Sequence, residues 1–196
     1  MAIDPFEHEH THVEEVPWSR VGGILIQLAE TIRQDWRPEA VVGIAKGGVI
    51  PAVFLSSAFR LDFFPIKLSS RRNEEIVREH PKWFVFPTED VREKKVLLVD
   101  HIIVTGRTIR MAAEELKRRG AKEVRTAALA AHRHSVRPDY VGFVTDGLIV
   151  WPWDRDCLTD EGAWIINPEY LAEMREVSNY EPGPSPAREP EGRWLK

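Results

Sequence analysis

Only one cysteine, Cys157, occurs in 196 residues. No disulfide can form within the chain, so the fold must rest on packing, which suits a reducing compartment. No apolar run approaches the roughly 18–20 residues that span a bilayer. The first residues have neither the basic start nor the apolar stretch of a secretory leader. Charge of one sign is scarce as well: 27 basic against 31 acidic residues leave −4 at neutral pH, which provides no general attraction to nucleic acid. Internal repeats are absent. What is present, 43% hydrophobic and 30% charged residues, is ordinary globular composition in a length that supports one domain with a substantial core. These readings set the expectation of a cytoplasmic protein with no membrane contact and no nucleic-acid partner.

Patterning divides the chain. Residues 1–15 are acidic and carry His8, His10 and His12. They read as a flexible N-terminus, where alternating histidines are usually incidental rather than a metal site. Residues 16–178 read as the folded domain. Residues 179–196 read as a flexible tail, since 181–192 hold four prolines and two glycines among charges. Inside the domain, Ser19 reads as the cap of a helix with Val21, Ile24, Leu25, Leu28 and Ile32 on one face. Val41–Ile44 reads as a strand, and Gly47-Gly48 opens a helix with Pro51 in its first turn. Phe63–Leu68 reads as a strand, and the charged stretch Ser69–Lys82 as a long loop. Strand 96–100, helix 106–119 and strands 123–131, 140–144 and 148–151 follow. Strands alternating with helices predict an α/β fold with a central, mostly parallel sheet flanked by helices.

Residues 96–108 carry the most chemistry. Val96–Val99 is apolar throughout, as in a central strand covered on both faces. Asp100 follows at its carboxyl end, where open α/β sheets bind ligands. Thr105-Gly106-Arg107-Thr108 then opens a helix whose apolar stripe is Ile109, Ala112, Ala113 and Leu116, with Gly120 as its stop. Open N–H groups, the positive end of a helix dipole, a glycine and two hydroxyls together make a phosphate cradle.

This segment resembles the signature of the type I phosphoribosyltransferases, which bind phosphoribosyl pyrophosphate (PRPP). Its Thr-Gly-Arg-Thr form resembles the pyrimidine-operon attenuator branch. The rest of the chain is more similar to the xanthine-guanine and archaeal purine enzymes. Val42-Gly43-Ile44-Ala45-Lys46-Gly47-Gly48 resembles their pyrophosphate loop, with Lys46 where Arg is usual. Pro138-Asp139-Tyr140-Val141 and Ile149–Asp154 resemble their last strand and hood. The likeness runs over about residues 38–156 in order and spacing. It implies the type I phosphoribosyltransferase fold with a small hood, a glycosyltransferase joining PRPP to a nucleobase with release of pyrophosphate in purine salvage, and a homodimer. Mg²⁺ would accompany PRPP, with Asp100 as its ligand. Asp100 and His101 would be catalytic. Lys46, Gly47, Gly48, Asp100, Thr105, Gly106, Arg107 and Thr108 would hold PRPP and its phosphates. His132, Leu148, Ile149, Trp153 and Asp154 would meet the base, and Arg71 and Arg72 would form a lid.

Several positions depart from the pattern. His101 stands where the second acid is usual; it could contact phosphates as a cation or be a spectator. Val104 stands where one branch places a proton-accepting Asp, and valine cannot accept a proton. His132 replaces a Lys that donates to the purine oxygen, and a neutral imidazole still offers one donor. Leu148 replaces a stacking aromatic. The exposed-looking basic run His132, Arg133, His134 and Arg137 reads as a solvated loop beside the pocket. The alternative function is a non-catalytic PRPP- or nucleotide-binding regulator on the same fold; a third is an RNA-binding attenuator.

Overall fold

The computed structural model describes residues 10–69, 71–72, 75–76 and 81–177. In chain order its elements are β1 (Val13–Glu15), α1 (Trp18–Asp35), β2 (Ala40–Ile44), α2 (Val49–Phe59), β3 (Phe63–Ser69), β4 (Arg71–Arg72), β5 (Glu75–Ile76) and β6 (Lys82–Val85). After a 3₁₀ turn over Glu89–Val91 come β7 (Lys95–Ile103), α3 (Arg107–Arg118), β8 (Glu123–Ala131), β9 (Tyr140–Val144), β10 (Leu148–Val150), β11 (Asp156–Leu158), β12 (Trp164–Ile166) and α4 (Pro168–Val177). The chain forms two compact units. The larger spans Val21–Thr145, and the smaller gathers the chain before Val21 and after Thr145.

The larger unit is built on a six-stranded sheet in the order β6-β3-β2-β7-β8-β9. Every pairing is parallel except that of β3 with the edge strand β6. This is the α/β architecture expected from the sequence. β7 is central because Val96, Leu97, Leu98 and Val99 are all buried; a run without a polar face is stable only with both faces covered. α3 lays Ile109, Ala112 and Leu116 into the core, against Val42, Ile44, Val96 and Leu98 among others. It ends at Gly120 (φ 88°), where Gly120 N–H donates to the Lys117 carbonyl and Ala121 N–H to that of Leu116. That is a Schellman stop, and the left-handed position favours glycine. α1 buries Val21, Ile24, Leu25, Leu28 and Ile32, the five positions read from the 3.6-residue period.

At the amino end of β8, the Arg125 guanidinium bonds to Asp35 (2.6 Å), Glu123 (2.9 Å) and the Tyr140 hydroxyl (2.8 Å). The Tyr140 hydroxyl donates to Asp35 (2.7 Å) and holds its carboxyl below the usual carboxylate range, with Arg125 acting in the same direction. The folded value is lowered, so the stability Asp35 adds is present above its ordinary value of 3.8 and is lost as pH falls through the folded value. Tyr140→Phe is expected to move the Asp35 titration midpoint, followed by NMR, back up towards that ordinary value.

In the smaller unit, β1 pairs in parallel with β10, and β11 with β12 form a hairpin. α4 packs Met174, Tyr170 and Val177 onto Leu148, Val150 and Val13. The Arg155 side chain is 5% exposed, and it bridges Glu15 on β1 (3.1 Å) and Asp156 on β11 (3.0 Å). Removing one partner of a buried ion pair leaves the others uncompensated. Arg155→Met is therefore expected to destabilise the protein by about 3 kcal/mol, read from its urea midpoint.

Several boundaries differ from the sequence reading. α1 begins at Trp18, so Ser19 lies in its first turn rather than capping it. β7 does not end at Asp100 but runs to Ile103, because Ile102 and Ile103 keep pairing with Ala130 and Ala131. Val13–Glu15 is a strand rather than part of a loose terminus, since Leu148–Val150 supplies its partner. Within the expected loop Ser69–Lys82, β4 pairs with β5, and β6 completes the sheet edge. The side chains of Arg71 and Arg72, residues 73–74, His8 and the tail 179–196 lie outside what the structure describes. The sequence pattern gives no signal for β11, β12 and α4.

Candidate functional site

β2 and β7 are parallel neighbours, in register from Ala40 opposite Val96 to Gly43 opposite Val99. Parallel pairing puts both carboxyl ends on one side of the sheet, so the loops that follow them must meet. The meeting is tight. A Cβ on Gly48 would fall 2.6 Å from the Ile44 oxygen, 2.7 Å from the Val99 oxygen and 2.9 Å from the Asp100 Cα. A Cβ on Gly47 would fall 2.5 Å from the His101 Cγ and Nδ1. Only glycine lets the loop after β2 rest on β7 beside Asp100. Lys46, in the same turn, is exposed, and its carbonyl accepts from Val49 N–H (3.1 Å). The Ala45–Lys46 peptide is cis.

Asp100 is 8% exposed. Its Oδ1 accepts from the His101 backbone N–H (2.8 Å) and meets His101 Nδ1 at 2.9 Å. An ionised carboxylate only accepts, so in this pair the imidazole proton sits on Nδ1. Oδ2 takes no part in this pair. Beyond β7 the chain turns into α3 at Gly106, in the left-handed region at φ 79°. The first N–H groups of a helix have no intrahelical acceptor. One of them, that of Arg107, donates to the Thr105 hydroxyl (3.2 Å). The turn has a wall that the sequence does not reveal: a Cβ on Gly106 would fall 2.7 Å from the Val136 Cβ. Val136 belongs to the basic loop after β8, whose Arg133, His134 and Arg137 are exposed as read from the sequence, whereas His132 of the same run is buried. Gly106→Ala meets both the positive φ and Val136. It is expected to cost about 2 kcal/mol of stability and to weaken phosphate binding, measured by denaturation and calorimetry.

His132 is 2% exposed. Its N–H donates to the Ile103 carbonyl (2.9 Å) and its own carbonyl accepts from the Ser135 hydroxyl (2.8 Å), which holds it at the end of β7. Val104 beside it is half-buried. In the smaller unit, Leu148 is 6% exposed and packed with Val150 and Met174. Leu148, expected on the base side, packs in the core beneath α4. Ile149 takes the opposite face of β10 by strand alternation. Trp153 stacks on Trp151 (5.1 Å between centroids, 4° between planes) and tilts against Trp18 (5.6 Å, 53°). Asp154 sits in the following turn, its carbonyl accepting from Asn167 (3.3 Å). His12 lies over Gly147 and bonds to the Thr11 hydroxyl (2.9 Å). Among the described residues no three His, Cys, Asp or Glu side chains gather in a way that could hold a metal ion.

The structure thus brings Lys46, Gly47, Gly48, Asp100 and His101 to one edge of the larger unit, with the Thr105–Thr108 turn at the end of the same strand. The Gly47–His101 and Gly106–Val136 contacts had no signal in the sequence, because each joins segments far apart in the chain.

A phosphoribosyl transferase domain model matches residues 18–159. The bifunctional protein PyrR of Ralstonia nicotianae is 30% identical over 131 residues, 63% of this chain and 74% of that protein. Uracil phosphoribosyltransferase of Lactobacillus gasseri is 38% identical over 66 residues, 34% of this chain; the matched stretch is 31% of that protein's own length. Among solved structures, purine phosphoribosyltransferase from Pyrococcus horikoshii superposes with a TM-score of 0.67 at 33% identity, over 76% of this chain and 97% of that one. The domain match takes in both glycine-bearing loops and the strands that carry them, and on that ground the chain belongs to the phosphoribosyl transferase family.

Proposed function

We propose that the protein transfers the phosphoribosyl group of PRPP to a ring nitrogen of a purine-type base and releases pyrophosphate. The observation that carries this reading is the seating of Gly47 and Gly48 on β7 at Asp100 and His101, with a phosphate-type helix entrance closing the same strand. The likeness to a purine enzyme over nearly its whole length favours a purine as acceptor.

In this reading the backbone of Thr105–Thr108 holds the 5′-phosphate at the amino end of α3. Asp100 accepts from the ribose hydroxyls. Lys46, as a point charge, and the amides of Gly47 and Gly48 face the diphosphate. The C1–oxygen bond breaks and its electron pair leaves on the diphosphate. The lone pair of the ring nitrogen forms the new C1–N bond, and the proton of that nitrogen passes to water, since Val104 offers no acceptor. The transition state is oxocarbenium-like, so the protein contributes chiefly position and electrostatic stabilisation of the leaving group. His132 supplies a donor to an exocyclic oxygen of the base. Ile149, Trp153 and Asp154 of the smaller unit are base-side candidates by resemblance.

The donor set fits Mg²⁺ in one manner. That ion keeps several waters and substrate phosphate oxygens and takes one or two carboxylates, and Asp100 offers Oδ2 while Oδ1 is engaged by His101. Asp100 would hold it, and when bound the ion would neutralise charge on the diphosphate. A homodimer in the reducing cytosol accompanies this proposal; the half-buried Cys157 is a free thiol, and no described helix is long and apolar enough to cross a membrane.

Calorimetry with PRPP and Mg²⁺, followed by a panel of bases with radiolabelled PRPP, tests the reading. Binding with nucleotide formation from a purine is expected. Turnover of uracil alone would correct the base. PRPP binding without turnover of any base would leave the non-catalytic regulator standing instead.

A further inference from the structure

The two loops of the larger unit share one side chain. His101 directs two N–H groups at a single oxygen of Asp100, the backbone at 2.8 Å and Nδ1 at 2.9 Å. Its ring atoms Cγ, Nδ1 and Cδ2 stand where a Cβ on Gly47 would fall, 2.5, 2.5 and 2.6 Å away. The His101 side chain is 26% exposed and that of Asp100 11%, so the ring is a packed part of the edge rather than a surface appendage. A ring held at one nitrogen by a charge-assisted bond and covered by a backbone loop keeps both contacts in one rotamer only. A carboxylate at position 101 would lack the proton donated to Asp100 and would repel it.

We propose that His101 is a positioning residue that joins the two halves of the site. Its Nδ1–H turns Asp100 so that Oδ2 is presented to a ribose hydroxyl, and its ring is the seat on which the Lys46–Gly48 loop rests. The ribose-side and diphosphate-side groups are thereby set as one piece. This rests on the phosphoribosyl-transfer reading above and assigns within it a role to the residue that departs most from the family pattern.

Calorimetry on the full chain with two probes, ribose 5-phosphate and inorganic pyrophosphate, each without Mg²⁺ so that Asp100 does not reach the diphosphate probe through the ion, separates the two roles of the ring. His101→Phe keeps a ring against Gly47 and loses the Nδ1 donor. It is expected to weaken ribose 5-phosphate about tenfold or more, the size of a lost hydrogen bond to a charged group, and to leave pyrophosphate affinity unchanged. His101→Asn keeps a donor and loses the ring, and should give the opposite split. Gly47→Ala should weaken pyrophosphate in the wild-type background and add nothing in His101→Ala, where the atoms it would strike are gone. Thermal melts establish that each variant is folded. A general loosening would weaken both probes in every variant and would overturn the proposal. Unchanged affinity for both probes in the Phe and Asn variants would overturn it too, as would an equal cost of Gly47→Ala in both backgrounds. A wild-type chain that binds neither probe would overturn the phosphoribosyl reading itself, and this inference with it.

Discussion

Gly48→Ala is expected to cost a large share of the protein's stability and to leave no measurable PRPP binding. The added methyl would lie within 3 Å of the Ile44 oxygen, the Val99 oxygen and the Asp100 Cα. All three belong to the backbone of β2 or β7, the two strands at the middle of the sheet, and cannot rotate away as a side chain end could. Gly48 N–H also donates to the Ile44 carbonyl (2.9 Å), and its own carbonyl accepts from Ala52 N–H (3.1 Å) at the start of α2. Any shift that relieves the clash therefore disturbs strand, loop and helix together. Overpacking a core costs roughly 1–3 kcal/mol, and about 3 kcal/mol or more is expected here because no flexible atom absorbs it. Urea denaturation of purified protein measures the cost. Gly22→Ala and Gly23→Ala provide the contrast: nothing stands within 4 Å of a Cβ at either position, and both lie inside α1. Each should stabilise by up to about 1 kcal/mol through helix propensity. A Gly48→Ala protein as stable as the wild type would show that the loop after β2 does not rest on β7 as described.

Asp100→Asn is expected to leave the fold intact and to lower kcat/KM for phosphoribosyl transfer by about a hundredfold or more, a loss typical of removing one preorganised polar group. The asparagine can keep the acceptor for the His101 backbone N–H, now 2.8 Å from Oδ1, which is why stability should hold. What it loses is the second acceptor oxygen and the negative charge. In the proposed reaction those groups fix the ribose hydroxyls and face the developing oxocarbenium charge, so the deficit belongs to the transition state more than to the bound ground state. Steady-state kinetics with the accepted base, beside a thermal melt of the same preparation, measures both. A variant within a few-fold of wild type would remove Asp100 from the chemistry and leave it as the anchor of His101.

Much of the fold is legible in the sequence, for identifiable reasons. The strand Val96–Val99 has no polar face, so only a central parallel position suits it. The five buried residues of α1 repeat at helical spacing, and the strand ranges at 123–131 and 140–144 were readable because β-branched and apolar runs there end at turn residues. Boundaries were harder where partners decide them. Whether β7 stops at Asp100 or continues to Ile103 depends on Ala130 and Ala131 of β8, which nothing local announces. Leu148 illustrates the same point at the site. Its identity is compatible with a base-facing wall or with core, and its packing with Met174 depends on a helix that sequence patterning does not single out.

The sequence alone determined the α/β class, the strand-to-helix turn at Thr105–Thr108 and the glycines after β2, because each depends on residues adjacent in the chain: propensity, alternation, and the need for a missing Cβ. Only the tertiary structure decided that Gly47 rests on His101, that one oxygen of Asp100 serves that imidazole, and that Val136 walls the turn. These are contacts between separate segments, and they exist because parallel pairing of β2 with β7, and of β7 with β8, carries their carboxyl ends to the same side of the sheet.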